Sequence, residues 1–279
     1  MKKQKWAVVF AALLAMVGFS SCLSSEDDGV RTLEDYAEVN SSSFGGLSFT
    51  SMYGWVCVPN KMVTSTPESK LAYIAYQYNN ADMQALTSTS TNLPVTLLYD
   101  PVYLKDLSYP SSNLPLNTET VSIYSLGENA GFVWGKNKYL VLAPTYLLKT
   151  GTTTDNLKTE LANHSLSVYY LAEDDDVQAK TLTLHLRYKI AGVGYSSVEE
   201  NSDTDESWAA DYSVQYRYTD VSYVSLDYLL SQYKAVHGSD PEKIAVEYEC
   251  SNRSTAVPTI ANKQLKTVTF SLYKDTANQ

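Results

Sequence analysis

Thr181-Leu-Thr-Leu-His-Leu-Arg-Tyr-Lys-Ile190 is the stretch that decides the fold class. Leu182, Leu184, Leu186, Tyr188 and Ile190 fall on one side of this run, and Thr181, Thr183, His185, Arg187 and Lys189 on the other. Side chains of an extended chain alternate between faces, so a strict period of two marks a half-buried antiparallel strand. On this reading His185 lies on the polar face as a solvated residue.

The same period recurs on both sides. Leu166, Val168 and Tyr170 alternate with Ser165, Ser167 and Tyr169, and the acidic turn Glu173–Asp176 joins that strand to the first, its charges reading as a solubility device. Downstream, Tyr212, Val214, Tyr216 and Tyr218 share a face, as do Ile244, Val246, Tyr248 and Cys250, and then Val268, Phe270 and Leu272. Leu226, Leu229, Leu230 and Tyr233 instead stand at i, i+3, i+4 and i+7, which reads as one short amphipathic helix from a Ser225 cap to Gly238, with a strand and loop as the alternative. Alternating strands over residues 156–275 predict an antiparallel β-sandwich of immunoglobulin-like size. Thr150–Asp155 is the candidate linker. Before it, short apolar runs at 47–57, 70–78, 95–99, 121–126, 132–134 and 139–143 predict a small closed or partly closed barrel over residues 44–150, with a bend at Gly54 and a hairpin at Gly135-Lys136-Asn137. The expected class is all-β.

The N-terminus supplies an address. Lys2, Lys3 and Lys5 precede the uncharged run Trp6–Phe19. That run is shorter than the roughly 20 apolar residues that span a bilayer, and it fits the apolar region of a signal peptide over residues 1–21. Ser20 and Ser21 stand directly before Cys22, which resembles the lipobox of bacterial lipoproteins. The resemblance implies cleavage before Cys22 and its diacylation. Ser25-Glu26-Asp27-Asp28 resembles the surface-export signal of Bacteroidetes lipoproteins and implies display on the outer face of the outer membrane. Residues 22–43 are polar and poorly periodic and read as an acidic tether.

Composition and motifs narrow the function classes. Tyr is abundant, with 23 residues, and suits strands. The formal charge of −10 becomes more negative once the three leader lysines are removed, so binding to a phosphate backbone is disfavoured. Cys57 and Cys250 read as separately buried thiols, with a disulfide between them as the alternative in an oxidising compartment. His164, His185 and His237 show no metal-ligand spacing, and no catalytic or phosphate-binding motif occurs. Asn201, Asp203, Asp205 and Glu206 alternate as calcium ligands do but lack the turn glycine and the distant glutamate, so a solvated loop is expected. Trp55, Trp134, Trp208, Tyr169 and Tyr273 are candidates for an aromatic sugar-binding platform, with ordinary strand tyrosines as the plainer reading. Asp275-Thr276-Ala277 resembles an O-glycosylation acceptor of exported Bacteroidetes proteins. No cofactor, metal or catalytic residue is expected.

Cys22 with its acidic run, the all-β first domain, Tyr223–Asp227 leading to Lys243–Tyr248, and the closing strand Val268–Tyr273 together resemble the NigD-like lipoproteins of Bacteroidetes. The resemblance covers nearly the whole mature chain. It implies an OB-like barrel followed by a β-sandwich, and no catalytic residues to transfer. The expected protein is a non-enzymatic, surface-anchored lipoprotein that works by binding or interaction, held to the membrane by lipid on Cys22, with a protein or a glycan as its partner and no nucleic acid. A glycan-binding accessory role in polysaccharide uptake and an unrecognised hydrolase are the alternatives.

Overall fold

The computed structural model describes residues 29–42, 46–63, 66–108, 111–116, 119–126, 131–193, 211–251 and 263–274. The chain is all-β and forms two compact units that divide between Asp106 and Leu107. The boundary expected at Thr150–Asp155 is thereby corrected. The segment 107–149 contributes Val121, Ile123, Leu140 and Leu142 to the core of the second unit, and this burial assigns it there.

The first unit is a closed five-stranded barrel. Its strands are β1 (Val30–Ser41), β2 (Leu47–Ser51), β3 (Val56–Pro59), β4 (Leu71–Asn79) and β5 (Asn92–Leu97). They pair in the order β1-β2-β3-β5-β4, and β4 closes back on β1 over nine residue pairs from Val30↔Asn79 to Glu38↔Leu71. All pairings are antiparallel except β3 with β5. This OB-like closure removes the free edges of a small sheet. The short helix α1 (Asn80–Gln84) follows β4, with the Asn79 side chain accepting the Ala81 N–H. β6 (Val102–Tyr103) pairs with the start of β4, and β7 (Lys105–Asp106) ends the unit. Gly54 turns the chain from β2 to β3 at φ +96°, a left-handed conformation that favours glycine.

β1 occupies much of the stretch expected to be a tether, and that expectation is corrected from Val30 onward. Register explains the strand. Leu33, Asp35 and Ala37 lie opposite Tyr76, Ile74 and Ala72, so all six share the barrel interior. Leu47, Phe49, Cys57, Leu93 and Val95 complete that core.

The second unit holds one four-stranded sheet, a smaller sheet and a strand pair around a common core. The small sheet is built from β8 (Gly131–Trp134) and β9 (Tyr139–Leu142), joined at the expected Gly135–Asn137 hairpin, with β14 (Ser222–Ser225) on the far side of β9. β10 (Thr145–Lys149) pairs with β13 (Tyr212–Thr219). The large sheet runs β11 (His164–Tyr170), β12 (Thr181–Ile190), β15 (Lys243–Ser251), β16 (Lys263–Ser271). Helix α2 (Leu157–Leu161) precedes β11, and α3 (Asp227–His237) packs Leu229 and Tyr233 fully into the core. α3 ends at left-handed Gly238 as expected, but it starts one residue later than Ser225 allows, with Leu226 at the cap position and no side-chain cap.

Thr181–Ile190 is the strand its alternation predicted, with Leu182, Leu184, Leu186, Tyr188 and Ile190 all buried in the core. Its pairing departs from the antiparallel scheme. β12 and β15 are parallel, because the chain passes through β13, β14 and α3 before returning to the sheet. Past Leu186↔Tyr248 the two strands separate, and the segment 121–123 fills the gap by bridging Val121 to Tyr188 and Ile123 to Cys250.

Candidate functional site

The chemistry-bearing side chains of the second unit gather around its three histidines, and each histidine meets a carboxylate. α2 places Glu160 one helical turn before His164. Glu160 Oε1 lies 3.1 Å from His164 Nε2 and also accepts the Lys149 N–H at 2.8 Å. Burial alone would raise the Glu160 carboxyl, but the Lys149 N–H and the histidine outweigh it and hold the group below its ordinary range. His164 Nδ1 makes a short hydrogen bond with the Tyr188 hydroxyl. Burial pushes that phenol well above its ordinary value, so it keeps its proton and donates it to Nδ1, while Nε2–H donates to Glu160. Glu160, His164 and Tyr188 thus form an acid–base relay. Tyr146 stacks on both the His164 ring, at 5.0 Å, and the Tyr188 ring, at 4.9 Å, and Tyr212 meets His164 edge-on. Tyr188 is 2% exposed, so the relay ends inside the core.

His185 corrects its expected solvated state. It is 5% exposed and stands between two carboxylates. Glu247 Oε1 accepts from Nδ1 at 2.9 Å, and an Asp174 oxygen lies 2.9 Å from Nε2 but off the line a hydrogen bond takes. The parallel register brings these groups together, since His185 lies directly opposite Glu247. Arg187 Nη2 donates to the same Glu247 oxygen at 2.6 Å, Glu249 lies 3.7 Å from Arg187 Nε, and Lys263 lies 3.0 Å from Glu249. Burial acts to raise Glu247, yet Arg187 and His185 together hold it below its ordinary range. Burial lowers Lys263 despite the attraction of Glu249. Charges of alternating sign therefore run through the otherwise polar face of the large sheet.

His237, at the end of α3, donates to Asp175 at 2.9 Å. The same carboxylate accepts the Tyr170 hydroxyl at 2.9 Å and the Thr183 N–H at 2.8 Å. The acidic turn is therefore no mere solubility device. Asp174 and Asp175 clamp two histidines, and the Asp175 side chain is fully buried. Among the described residues no group of His, Cys, Asp and Glu is arranged to hold a metal.

A second constellation lies in the barrel. Asp35 faces the interior, and its Oδ2 is sealed from water with no hydrogen-bond partner. Burial pushes its carboxyl up to about 7 against the Tyr36 N–H, which lowers it. Burial likewise takes the Cys57 thiol to about 12, so it is no thiolate nucleophile. Trp55 packs against the same core and donates its indole N–H to the Tyr76 hydroxyl at 3.3 Å. Tyr53 stacks on Trp55 at 4.9 Å with 18° between ring planes, and Tyr53 is 64% exposed.

Of the aromatic platform candidates, Trp134 and Tyr169 are buried, Tyr273 is half exposed, and Trp55 is half-buried beneath Tyr53. Trp208 lies outside the described residues, as do Cys22, Ser25, Glu26, Asp27, Asp28, the Asn201–Glu206 loop and Asp275–Ala277. Cys57 and Cys250 are both buried thiols, not a disulfide pair. Sequence reasoning did not find Asp35, Glu160 or Tyr53. The signals were present as a carboxylate at an inward strand position and as an acid four residues before a histidine.

Comparison with protein-family models gives no match, and comparison with curated proteins gives none. Solved structures do match. A candidate lipoprotein from Bacteroides fragilis NCTC 9343 superposes with a TM-score of 0.65 at 19% identity, covering 88% of this chain and 99% of that one. The chain shares its fold. An uncharacterised protein from Parabacteroides merdae ATCC 43184 gives 0.50 at 16% identity over 87% of this chain and 100% of that one. The similar structures also include a NigD-like immunity protein from Bacteroides caccae ATCC 43185, at 0.44 and 12% identity over 81% and 89%.

Proposed function

We propose that the chain is a non-enzymatic lipoprotein, anchored in the outer membrane through diacylated Cys22, displayed on the cell surface by Ser25, Glu26, Asp27 and Asp28, and acting by binding. One observation carries the non-enzymatic part. Every histidine is engaged by a carboxylate of its own chain, and the relay with acid–base geometry found among the described residues, Glu160–His164–Tyr188, ends beneath Tyr146. A catalytic relay has to end where a substrate can be placed. The lipobox residues and the fold shared with the Bacteroides fragilis lipoprotein candidate support the anchor.

The test labels growing cells with an alkyne fatty acid. Wild type takes up the label, Cys22→Ala loses it, and protease added to intact cells removes the labelled protein. An unlabelled wild type overturns the anchor. Protection from protease in intact cells overturns surface display. Turnover of a glycoside or ester panel that disappears in His164→Phe overturns the non-enzymatic reading.

A further inference from the structure

Strand directions fix what gathers at each end of the barrel. β1 and β2, β2 and β3, β4 and β5, and β1 and β4 are antiparallel, while β3 and β5 are parallel. One end therefore collects the start of β1, the β2–β3 turn at residues 52–55, and the β4–β5 connection at residues 80–91. The Gly29 carbonyl accepts the Asn80 N–H at 2.7 Å, which holds the first of these against the third. The exposed Tyr53 and its stacked neighbour Trp55 are in the turn, at the end where the N-terminal chain enters.

Three observations converge on this end. First, only residues 23–29 separate Cys22 from β1. Eight steps of at most about 3.6 Å each allow no more than about 29 Å in any conformation. Second, in a chain with 31 acidic residues the two connections at this end hold one charge, Asp82, among Met, Tyr, Trp, Leu and hydroxyl side chains. Third, Tyr and Trp are the residues that settle at the boundary between hydrocarbon and water, each offering an apolar ring and a polar tip. The indole N–H is already taken by Tyr76. The two rings lie face to face and not side by side, so they do not make the flat two-ring surface on which a sugar would lie.

We propose that this end of the barrel rests on the lipid surface to which Cys22 is anchored, with the Tyr53–Trp55 turn in the headgroup layer. The inference rests on the lipid anchor proposed above, and it deepens that reading by giving the anchored barrel one orientation. The lipid chains hold the protein to the membrane, and the aromatic turn sets which end faces it.

The test separates docking from anchoring. Cys57 and Cys250 are buried, so the mature chain can be coupled through Cys22 to a maleimide lipid in phosphatidylethanolamine–phosphatidylglycerol vesicles. Trp55 fluorescence is read as the difference between wild type and Trp55→Phe. Tyr53→Trp adds a reporter at the exposed position and keeps an aromatic ring over the indole of Trp55. Nitroxide on the lipid headgroup is expected to quench both signals severalfold, and vesicles are expected to shield both from aqueous iodide. Equal iodide quenching with and without vesicles, or no effect of the nitroxide, overturns the proposal. A glycan-array signal lost in Tyr53→Ser, without lipid quenching, also overturns it and assigns the turn to sugar. The mass of the chain recovered from cells reports the anchor separately: an unacylated Cys22 removes the anchor reading and the docking with it, whereas acylation with no quenching removes the docking alone.

Discussion

Replacing Asp35 by Asn tests the barrel interior most directly. The folded carboxyl holds its proton to about 7, where the ordinary group releases it at 3.8. A tenfold difference in proton affinity is worth about 1.4 kcal/mol, so ionising Asp35 inside the barrel costs about 4 kcal/mol at about pH 8. The direction follows from which state holds the proton more tightly. The folded state does, so the contribution to stability is greatest below pH 3.8 and is lost as pH rises toward about 7. Asp35→Asn has no proton to lose. Its amide, sealed where Oδ2 has no partner, costs about 1–3 kcal/mol at every pH. The variant should therefore be the less stable protein at about pH 4 and match or exceed wild type at about pH 8, the difference between them moving by about 3–4 kcal/mol. Guanidinium denaturation at a series of pH values, with the amides of β1 and β4 followed by hydrogen exchange, isolates the barrel from the second unit. A difference that stays constant from acid to alkaline pH would refute the buried, raised carboxyl, and one that moves the opposite way would refute its inward placement.

The charge row on the large sheet makes a contrasting prediction. Arg187→Met leaves Glu247 and Glu249 facing each other without their shared cation and should cost about 3–5 kcal/mol by chemical denaturation, while Lys180→Ala, which removes an exposed partner of Glu242, should leave the denaturation midpoint nearly unchanged. Glu160 is depressed by the Lys149 N–H and His164, so its contribution is present above the ordinary carboxylate range and lost as pH falls through its folded value; Glu160→Gln should destabilise at neutral pH and converge with wild type in acid, as followed by circular dichroism. Cys57 is buried with its thiol raised to about 12, so a thiol reagent should modify it only after denaturation, at a rate tracking barrel unfolding. Gly131→Ala would set a methyl 2.7 Å from the Val141 carbonyl and 3.0 Å from Phe270, and a drop in melting temperature should report the displaced hairpin.

How much could be read beforehand varied from strand to strand. Strands with one apolar face were legible because burial had written a period of two into them. Thr181–Ile190 is the plainest case, and Lys243–Cys250 and Val268–Leu272 follow it. β1 was hidden because two of its residues invert the pattern. Asp35 faces inward and Tyr36 outward, so Val30–Ser41 looked like polar spacer until β4 supplied partners along its length. The domain boundary was missed for a similar reason. The stretch 107–126 has little periodicity of its own and belongs to the second unit through bridges to Tyr188 and Cys250.

The sequence by itself determined the all-β class, the faces of the longest strands and the end of α3 at Gly238, and its short N-terminal run carries the resemblance on which the proposed lipid anchor rests. Each of these depends on neighbours in the chain, through side-chain alternation, glycine's conformational freedom or a short run of residues. Only the tertiary structure decided where the acids and bases meet. Glu247 reaches His185 and Arg187 across a parallel pairing that joins strands 60 residues apart, and Asp175 closes on His237 at 62. Alternation says which face a side chain takes but not which strand lies beside it, and burial of a carboxylate is settled by that neighbour.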